Sequence, residues 1–504
     1  MPDQIFTFAA LALYFAGMLL IGWIAFRRTG DHEDYMLGGR NLPPWVAALS
    51  AGASDMSGWL VMGLPGAIYV SGLIEAWIAI GLTIGAYLNW LLVAPRLRAY
   101  TQVSRNSITV PSFFENRLRD TTRLLRVVSG VVILVFFTLY ISSGMVAGGG
   151  VFFESSFDGD YLTGMLLVTG VTLAYTLFGG FLGASLTDVV QGLMMVIALI
   201  VIPVAAIVAI GGLAETGALI DEVAPDHLSM LSGTALTGGT VLAIVSSLAW
   251  GLGYFGQPHI IVRFMALRSP QEAKSARRIG ISWMVVSLGG AVLSGLVGLA
   301  YIAKTGIDLA NPETVVLLMS QTLLHPFVAG LVLAAVLAAI MSTISSQLIV
   351  CSSALVEDLY GVFRRTPPSQ KTLMLMGRLG VLGVAIIAAV LAITPNDTIL
   401  GLVSFAWAGF GAAFGPVILL SLYWRKLTNW GALAGMFVGA ATVFIWKALD
   451  TGLYELLPAF VFALIAAVGV SLVTYRHDDE IQQEFTDTGV MLALPRPHAV
   501  GDTP

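Results

Sequence analysis

The segment from Ala51 to Trp59, AGASDMSGW, places polar groups inside a stretch that is otherwise apolar enough for lipid. It holds the carboxylate of Asp55, the hydroxyls of Ser54 and Ser57, and two glycines that weaken a helix. An Asp at bilayer depth costs roughly 2.5–3.5 kcal/mol on insertion scales, and a helix opened by glycine needs new partners for its carbonyls and amides. A bound cation and a polar solute would supply these partners, so this segment is the first candidate site.

A second group of hydroxyls lies in the apolar stretch AAIMSTISS, where Ser342 and Thr343 are adjacent. Such hydroxyls often bond only the carbonyl four residues earlier in their own helix. If this stretch faces an opened segment around Asp55, two hydroxyls and three carbonyls would form a five-oxygen shell. That shell suits a small hard cation such as Na⁺.

Trp250 and Tyr254 stand four residues apart in a glycine-rich stretch that ends with Gln257 and Pro258. While the chain is helical, this spacing puts both rings on one face. Aromatic pairs commonly serve packing alone. Between glycines at membrane mid-depth, they could instead line a pocket for an apolar ring, with Gln257 as a polar contact. Tyr140, next to Ser142 and Ser143, is a similar candidate.

Two charged residues are interpreted as gating or scaffold residues rather than ligands. Arg40 precedes the second apolar stretch, where we expect a solvated anchor. Asp188 is expected at the start of a helix, where its charge favours the helix dipole.

The composition indicates an all-α polytopic membrane protein. Of 504 residues, 57% are hydrophobic and 11% charged, and mean hydropathy is +0.87. About thirteen apolar stretches approach the roughly 20 residues that a spanning helix needs. They are 5–26, 43–71, 73–95, 125–152, 162–180, 188–210, 238–262, 279–303, 320–350, 373–394, 398–424, 428–447 and 453–474.

The basic residues predict the orientation, because cytoplasmic loops collect Lys and Arg. With the N-terminus outside, only Lys304 and Lys447 of the 25 basic residues face outward. The inner loops then hold Arg364 and Arg365 among others, and the cytoplasmic tail, 476–504, holds Arg496. We therefore expect the N-terminus outside and the C-terminal tail in the cytoplasm.

Glycine and proline interrupt the second and seventh spans, through Gly52, Gly58 and Pro65 in one and Gly251 and Pro258 in the other. Five spans separate the two, so they cross the membrane in opposite directions. This spacing predicts two inverted five-helix repeats, 43–210 and 238–424, each beginning with a discontinuous helix. The first helix, 5–26, precedes them, and the last two helices, 428–474, complete a transmembrane domain of residues 1–475.

Over nearly all of residues 5–475 the chain resembles the sodium:solute symporter family. The most specific stretches are SAGASDMSGW at 50–59, Gly179 to Gln191, Trp250 to Pro258, Ala339 to Thr343 and AWAGFG at 406–411. The resemblance implies the fold of the bacterial leucine transporter, with one helix before its ten-helix core and two after it.

The resemblance also implies roles for individual residues. Na⁺ would be ligated by the carbonyls of Ala53, Met56 and Ala339 and the hydroxyls of Ser342 and Thr343, with Asp55 close by. With Ser54 and Gln257 added from the patterns above, the expected substrate contacts are Ser54, Ser57, Gly58, Tyr140, Trp250, Tyr254, Gln257 and Pro258.

These observations lead to the hypothesis of Na⁺-coupled uptake of L-proline by alternating access, with Na⁺ as coupling ion and no enzymatic or nucleic-acid-binding role. A symporter of the same family for another small solute is the nearest alternative. A channel is disfavoured because broken helices that meet at one site suit occlusion. A sensor would need an output domain, and the short tail offers none.

Overall fold

The computed structural model describes residues 2–28, 37–231, 236–360, 369–394 and 397–494. Arg364, Arg365 and Arg496, which the orientation argument used, lie outside these ranges, as do the last ten residues of the predicted tail.

The described chain is built from helices that we number as spans in chain order. The first four are Pro2–Arg28; Pro44–Asp55 with Trp59–Gly63 and Leu64–Ser71; Ala76–Leu88 with Asn89–Val93 and Ala94–Val103; and Leu124–Met145 with Val146–Val151 and Phe152–Phe157. The fifth and sixth lie in Tyr161–Ile210, which is kinked at Gly180. The seventh consists of Gly238–Ala249, Trp250–Gly256 and Pro258–Met265. The rest are Ala273–Thr305, Pro326–Ser353 with Ala354–Tyr360, Gln370–Ala392, Ile399–Tyr423, Asn429–Leu449 and Leu456–Thr474.

Shorter helices connect or follow the spans: Val110–Arg117 before the fourth, Leu213–Val223 after the sixth, Val315–Leu323 before the ninth, and Asp479–Ala493 after the thirteenth. We call this last element the tail helix.

The all-helical membrane fold is confirmed for the described residues, where eleven helices are long and apolar enough to cross a membrane. The number differs from thirteen for two reasons. First, the part of the second span after its break continues into the third, so that Trp59–Val103 counts as one helix. Second, the fifth span is represented by Tyr161–Leu177, an apolar helix that is too short to be counted. Each predicted span therefore coincides with helix.

One predicted loop is wrong. Residues 181–187 were expected to connect the fifth and sixth spans, but they are helical. The direction changes at Gly180, whose φ of 57° and ψ of −159° are readily adopted only without a side chain. The sixth span therefore begins before the predicted start at residue 188.

The two predicted helix breaks are present, and side chains of the same span and of other spans satisfy carbonyls at the breaks. At the first break, the Asp55 carbonyl accepts hydrogen bonds from Trp59 Nε1 at 3.0 Å and Tyr140 Oη at 3.4 Å. At the second, Asn89 Nδ2 donates to the Tyr254 carbonyl at 2.9 Å. An interrupted helix at this depth is tolerated because these partners replace the missing backbone bonds.

The spans pack into two main groups. The second, third, seventh and eighth spans contact one another and form what we call the bundle. The fourth, fifth, ninth and tenth form the frame; within it, Tyr175 Oη donates to the Met341 carbonyl at 2.9 Å and Tyr161 Oη to the Ala392 carbonyl at 2.8 Å.

Inside the bundle, the third and seventh spans touch through their backbones. A Cβ atom added to Gly85 would lie 2.5 Å from the Cα atom of Gly251, closer than real Cβ contacts come. Glycine at both positions is therefore required for this approach.

Candidate functional site

The oxygen atoms predicted to hold a cation converge where the broken second span meets the ninth. Ser342 Oγ lies 2.7 Å from the Ala53 carbonyl oxygen and 3.0 Å from that of Ala339. Thr343 Oγ1 lies 3.2 Å from the Ala339 oxygen. Four of the five predicted oxygens thus form one cluster, and the hydroxyls donate to the carbonyls within it.

Met56, which would supply the fifth oxygen, is the first residue after the helical segment Pro44–Asp55. Its φ of −81° and ψ of 85° lie outside the helical region, while its N–H still bonds the Gly52 carbonyl. Its carbonyl is thereby released from the helical pattern, three residues after Ala53 of the cluster. All members are buried, so a cation there would be desolvated and would depend on these hard oxygen donors.

The carboxylate of Asp55 points to the seventh span rather than to the hydroxyls of the ninth. Its Oδ2 atom accepts a hydrogen bond from Tyr254 Oη. Its Oδ1 atom has no hydrogen-bond partner among the described residues. Asp55 also lines a cavity of about 20 Å³ together with Asn89, whose Oδ1 is likewise without a partner there. That volume admits about one water molecule.

The aromatic pair predicted in the seventh span is part of a larger cluster. Its segment is a 3₁₀ helix, with 3.0 residues per turn, so residues four apart do not share a face as they would in an α-helix. Trp250 and Tyr254 nevertheless both reach Trp407 of the eleventh span, with ring centroids 6.4 and 5.0 Å away. Trp59 lies 6.4 Å from Trp250.

This aromatic cluster borders an open cleft of roughly 450 Å³. Tyr454 stacks on Trp250 at 5.3 Å and also lines the cleft. Polar groups from Glu75, Ser247 and Ser404 line the same cleft. The arrangement gives a polar route from one face of the protein to a ring-lined wall beside the broken second span.

The remaining predicted substrate residues lie in the same region but make different contacts. Tyr140 reaches the first break through its bond to the Asp55 carbonyl. Gln257 Nε2 donates to the Trp407 carbonyl at 3.1 Å, and Gln257 Oε1 has no partner among the described residues. Pro258 begins the last helical segment of the seventh span and lines a separate small cavity.

Three further residues of the second span were predicted to contact the substrate. Ser54 Oγ donates to the Ala51 carbonyl of its own helix at 3.1 Å. A Cβ at Gly58 would lie 2.9 Å from the Ala147 Cβ, so Gly58 allows close contact with the frame. Ser57 is buried in the break. Their roles toward a substrate stay predictions.

The interpretation of Arg40 as a solvated anchor is wrong, because only 9% of the residue is exposed. Its guanidinium donates to Thr101 Oγ1 at 3.1 Å, to the Met265 carbonyl at 3.2 Å and to the Ser107 carbonyl at 2.5 Å. It therefore joins the chain before the second span to the ends of the third and seventh, as a scaffold residue does.

Asp188 does not lie in a first helical turn, because the sixth span begins near Gly180. The helix dipole acts mainly within the first turn, so it does not account for this position. Asp188 Oδ2 is instead 3.1 Å from a guanidinium nitrogen of Arg263, and both residues are almost fully buried. Ser50 Oγ also donates to Asp188 Oδ2 at 2.6 Å. The guanidinium of Arg263 donates to Ser346 Oγ, also at 2.6 Å.

Comparison with known proteins places this site in a family. Residues 35–439 match the sequence model of the sodium:solute symporter family. The chain belongs to the sodium:solute symporter family. The predictions of a transporter and of sodium as its coupling ion are thereby confirmed.

Two relatives of this symporter are similar over most of their length. The high-affinity proline transporter PutP of Bacillus subtilis is 57% identical over 472 residues, which cover 93% of this chain and 98% of the relative. The sodium/proline symporter of Escherichia coli is 49% identical over 480 residues, 94% of each chain. A solved outward-open structure of a Na⁺-coupled sialic acid symporter has a TM-score of 0.79 and 20% identity, covering 94% of this chain and 99% of its own. The last likeness confirms the fold.

Three residues of the site in this symporter were not predicted. Trp407 is central to the aromatic cluster, and its indole Nε1 donates to the Trp250 carbonyl at 2.9 Å. Asn89 satisfies the second helix break, and Arg263 pairs with Asp188. The sequence could have indicated Asn89, because its polar amide side chain lies inside an apolar stretch. Arg263 stands at the end of a span, in a run of basic residues. Its position in the sequence does not distinguish it from basic residues nearby that are solvated.

Proposed function

We propose that this symporter couples the entry of Na⁺ to the uptake of L-proline across a bacterial cytoplasmic membrane by alternating access. The observation that carries the proposal is the oxygen cluster between the broken second span and the ninth, next to the aromatic cluster. Relatives that are 49–57% identical are named as proline transporters or sodium/proline symporters, which supports proline as the solute.

Na⁺ is proposed to bind among the carbonyls of Ala53, Met56 and Ala339 and the hydroxyls of Ser342 and Thr343. The hydroxyls would turn their lone pairs to the ion instead of donating to the carbonyls. Because the cluster joins the bundle to the frame, binding there would hold the two groups together. Asp55 is proposed to support the ion by its negative charge from the adjacent break.

L-proline is proposed to bind at the two breaks, between the oxygen cluster and the aromatic rings. Its carboxylate would meet backbone amides of the second span near Ser57 and Gly58, and its ammonium would meet carbonyl ends. Its pyrrolidine ring would pack against Trp250, Tyr254 and Pro258. Ser54, Tyr140 and Gln257 complete the proposed substrate residues.

The face at which Arg96, Arg119, Arg277 and Arg425 lie is called the basic face here, and we propose that it is cytoplasmic. Membrane proteins retain Lys and Arg in their cytoplasmic loops. The N-terminus is then outside and the tail helix inside. The open cleft next to Trp250 faces outward in this orientation.

The driving force is sufficient for accumulation. One positive charge moving down 100 mV releases roughly 2.3 kcal/mol. A tenfold Na⁺ gradient adds about 1.4 kcal/mol. With one Na⁺ per proline, the sum supports a concentration ratio of several hundredfold.

The test is uptake of radiolabelled L-proline into proteoliposomes under an imposed Na⁺ gradient, with an equal K⁺ gradient in a parallel sample. Accumulation above equilibrium with Na⁺ alone is expected. Equal accumulation in both samples would contradict sodium coupling. No uptake by folded protein would contradict proline, and competition by other unlabelled solutes would then identify the substrate.

A further inference from the structure

We propose that the tail helix is a latch that ties the bundle to the frame at the basic face and thereby opposes opening on that face. The proposal rests on alternating access as the proposed function, and it assigns a regulatory role to a segment outside the transport domain.

One side of the tail helix is bound to the bundle. The ring of Phe485 packs edge-on against Tyr100, near the end of the third span, with centroids 6.2 Å apart. Near the other end of the helix, Gln271 Nε2 donates to the carbonyls of Met491 and Leu494, at 3.2 and 2.9 Å. Gln271 lies two residues before the eighth span, which begins at Ala273. The tail helix therefore contacts the third span and the segment that leads into the eighth.

The tail helix is also bound to the chain that enters the frame. The guanidinium of Arg119 lies 2.8 Å from Glu484 and 3.0 Å from Glu480. Arg119 stands shortly before the fourth span, which begins at Leu124. The side chain of Glu484 is 12% exposed and that of Glu480 is 73% exposed, so Glu484 carries the better-shielded contact.

Phe485 is additionally surrounded by cations. The guanidinium carbons of Arg425, Arg96 and Arg117 lie 4.7, 5.0 and 6.0 Å from its ring centroid. Cations at these distances are attracted to the negative face of an aromatic ring. Arg96 belongs to the third span, Arg117 precedes the fourth and Arg425 follows the eleventh, so one ring collects contacts from both groups and from a neighbouring span.

The pattern of the helix fits docking on a surface. Glu484 and Thr488 are buried and Phe485 is half-buried, whereas Gln483 and Asp487 are exposed. Buried positions at i, i+1 and i+4 form one stripe of a helix. A helix that merely trailed from the thirteenth span would not bury a carboxylate opposite an arginine of another span.

Opening at the basic face requires the ends of the bundle helices to move away from the start of the fourth span. The latch spans that gap, since it is held by Gln271 and Tyr100 on one side and Arg119 on the other. Its bonds must break, or the helix must follow one group, before the inner route opens. The contact therefore favours the state that is closed at this face.

The experiment uses a reporter cysteine in the full chain. Val262 of the bundle is buried and lines a small cavity of about 30 Å³ with Ile133 and Ile349 of the frame. Val262→Cys is made after the sole native cysteine is removed by Cys351→Ala. The rate of labelling by a membrane-impermeant maleimide applied from the basic face is measured in K⁺ buffer without proline.

Glu484→Gln is compared with Asp487→Asn, which neutralises an exposed carboxylate of the same helix. Loss of a partly exposed ion pair predicts labelling about two- to fivefold faster in Glu484→Gln, and no change in Asp487→Asn. Gln271→Ala, which removes the bond at the other end, is expected to act in the same direction. If Glu484→Gln yields no folded protein, Gln271→Ala provides the test.

Equal labelling of these variants in folded protein would overturn the latch. Equal acceleration by Asp487→Asn would also overturn it, because the effect would then come from charge rather than from the contact. Absence of Na⁺-dependent proline uptake by the unmutated chain would instead contradict the proposed function. The failure of the latch and the failure of the proposed function are therefore distinguishable.

Discussion

Replacing Ser342 by alanine tests the proposed sodium site most directly. Ser342 Oγ stands between the carbonyls of Ala53 and Ala339, at 2.7 and 3.0 Å. The substitution removes one of five proposed ligand oxygens from the buried cluster. We expect the Na⁺ concentration for half-maximal proline uptake to rise.

The magnitude follows from the loss of one oxygen that faces a charge. Hydrogen bonds and similar polar contacts to charged groups contribute about 1.5–3 kcal/mol. At about 1.4 kcal/mol per factor of ten, the half-saturating Na⁺ concentration should rise roughly 10- to 150-fold. Protein stability should change far less. The lost neutral hydrogen bond costs about 0.5–1.5 kcal/mol, and the higher helix propensity of alanine offsets up to about 0.7 kcal/mol.

The assay is the initial rate of labelled proline uptake into proteoliposomes over a wide range of Na⁺ concentrations. Ser287→Ala is the matched control, because Ser287 is buried and its Oγ donates to the Trp283 carbonyl of its own helix at 2.9 Å. It loses a similar bond at a distance from the cluster. An unchanged sodium dependence in folded Ser342→Ala would refute the assignment of this hydroxyl as a ligand.

Three further substitutions test the surrounding residues. Asp55→Asn is expected to weaken apparent Na⁺ affinity, since the neutral amide no longer supports the ion; the same sodium titration measures it. Trp250→Ala should raise the half-saturating proline concentration about 2- to 12-fold, because the free energy of one aromatic contact is lost. A proline titration at saturating Na⁺ measures this. Asp188→Asn leaves the buried guanidinium of Arg263 without an anionic partner and should destabilise the fold by about 3–5 kcal/mol, which thermal unfolding followed by size exclusion can detect.

Each of these has a control. Tyr254→Phe removes only the hydroxyl that bonds Asp55, so a smaller effect on sodium is expected; unaltered sodium dependence in Asp55→Asn would remove that residue from the site. Trp23, which is 50% exposed, provides a control for tryptophan loss outside the site. If Trp250→Ala leaves proline affinity unchanged, Trp250 serves packing alone. Stability of Asp188→Asn equal to that of the parent would contradict a structural role for the pair.

The sequence predicted the features that lipid imposes. Lipid offers no hydrogen bonds to the backbone, so glycines and prolines inside apolar stretches reveal broken helices, and both predicted breaks are present. The hydroxyls of Ser342 and Thr343 were recognisable because a polar pair in an apolar helix needs a partner. The two glycines at 179–180 were quoted for the resemblance, but the sequence did not indicate that Gly180 alone would turn the chain without a loop.

Features that depend on which distant side chains meet were not predicted. The pairing of Asp188 with Arg263 joins residues 75 positions apart in the chain, and neither residue type nor local spacing identifies the partner. The tail was expected to be too short for a domain. Its helix was still recognisable from Ile481, Phe485 and Thr488, which share one side at helical spacing, but its docking surface is assembled from four separate segments.

The backbone contact between Gly85 and Gly251 has a mechanical consequence. Since no side chain separates the two helices there, their backbones touch, and the contact can serve as a fulcrum about which the third span tilts. Tyr100 lies fifteen residues beyond Gly85, or about 22 Å along the helix at 1.5 Å per residue. A tilt of about 10° would therefore displace Tyr100 by about 4 Å over this length of helix. The long arm converts a small tilt at Gly85 into a larger displacement at the membrane surface. Probes placed near Tyr100 are therefore expected to move further during the transport cycle than probes placed near Gly85.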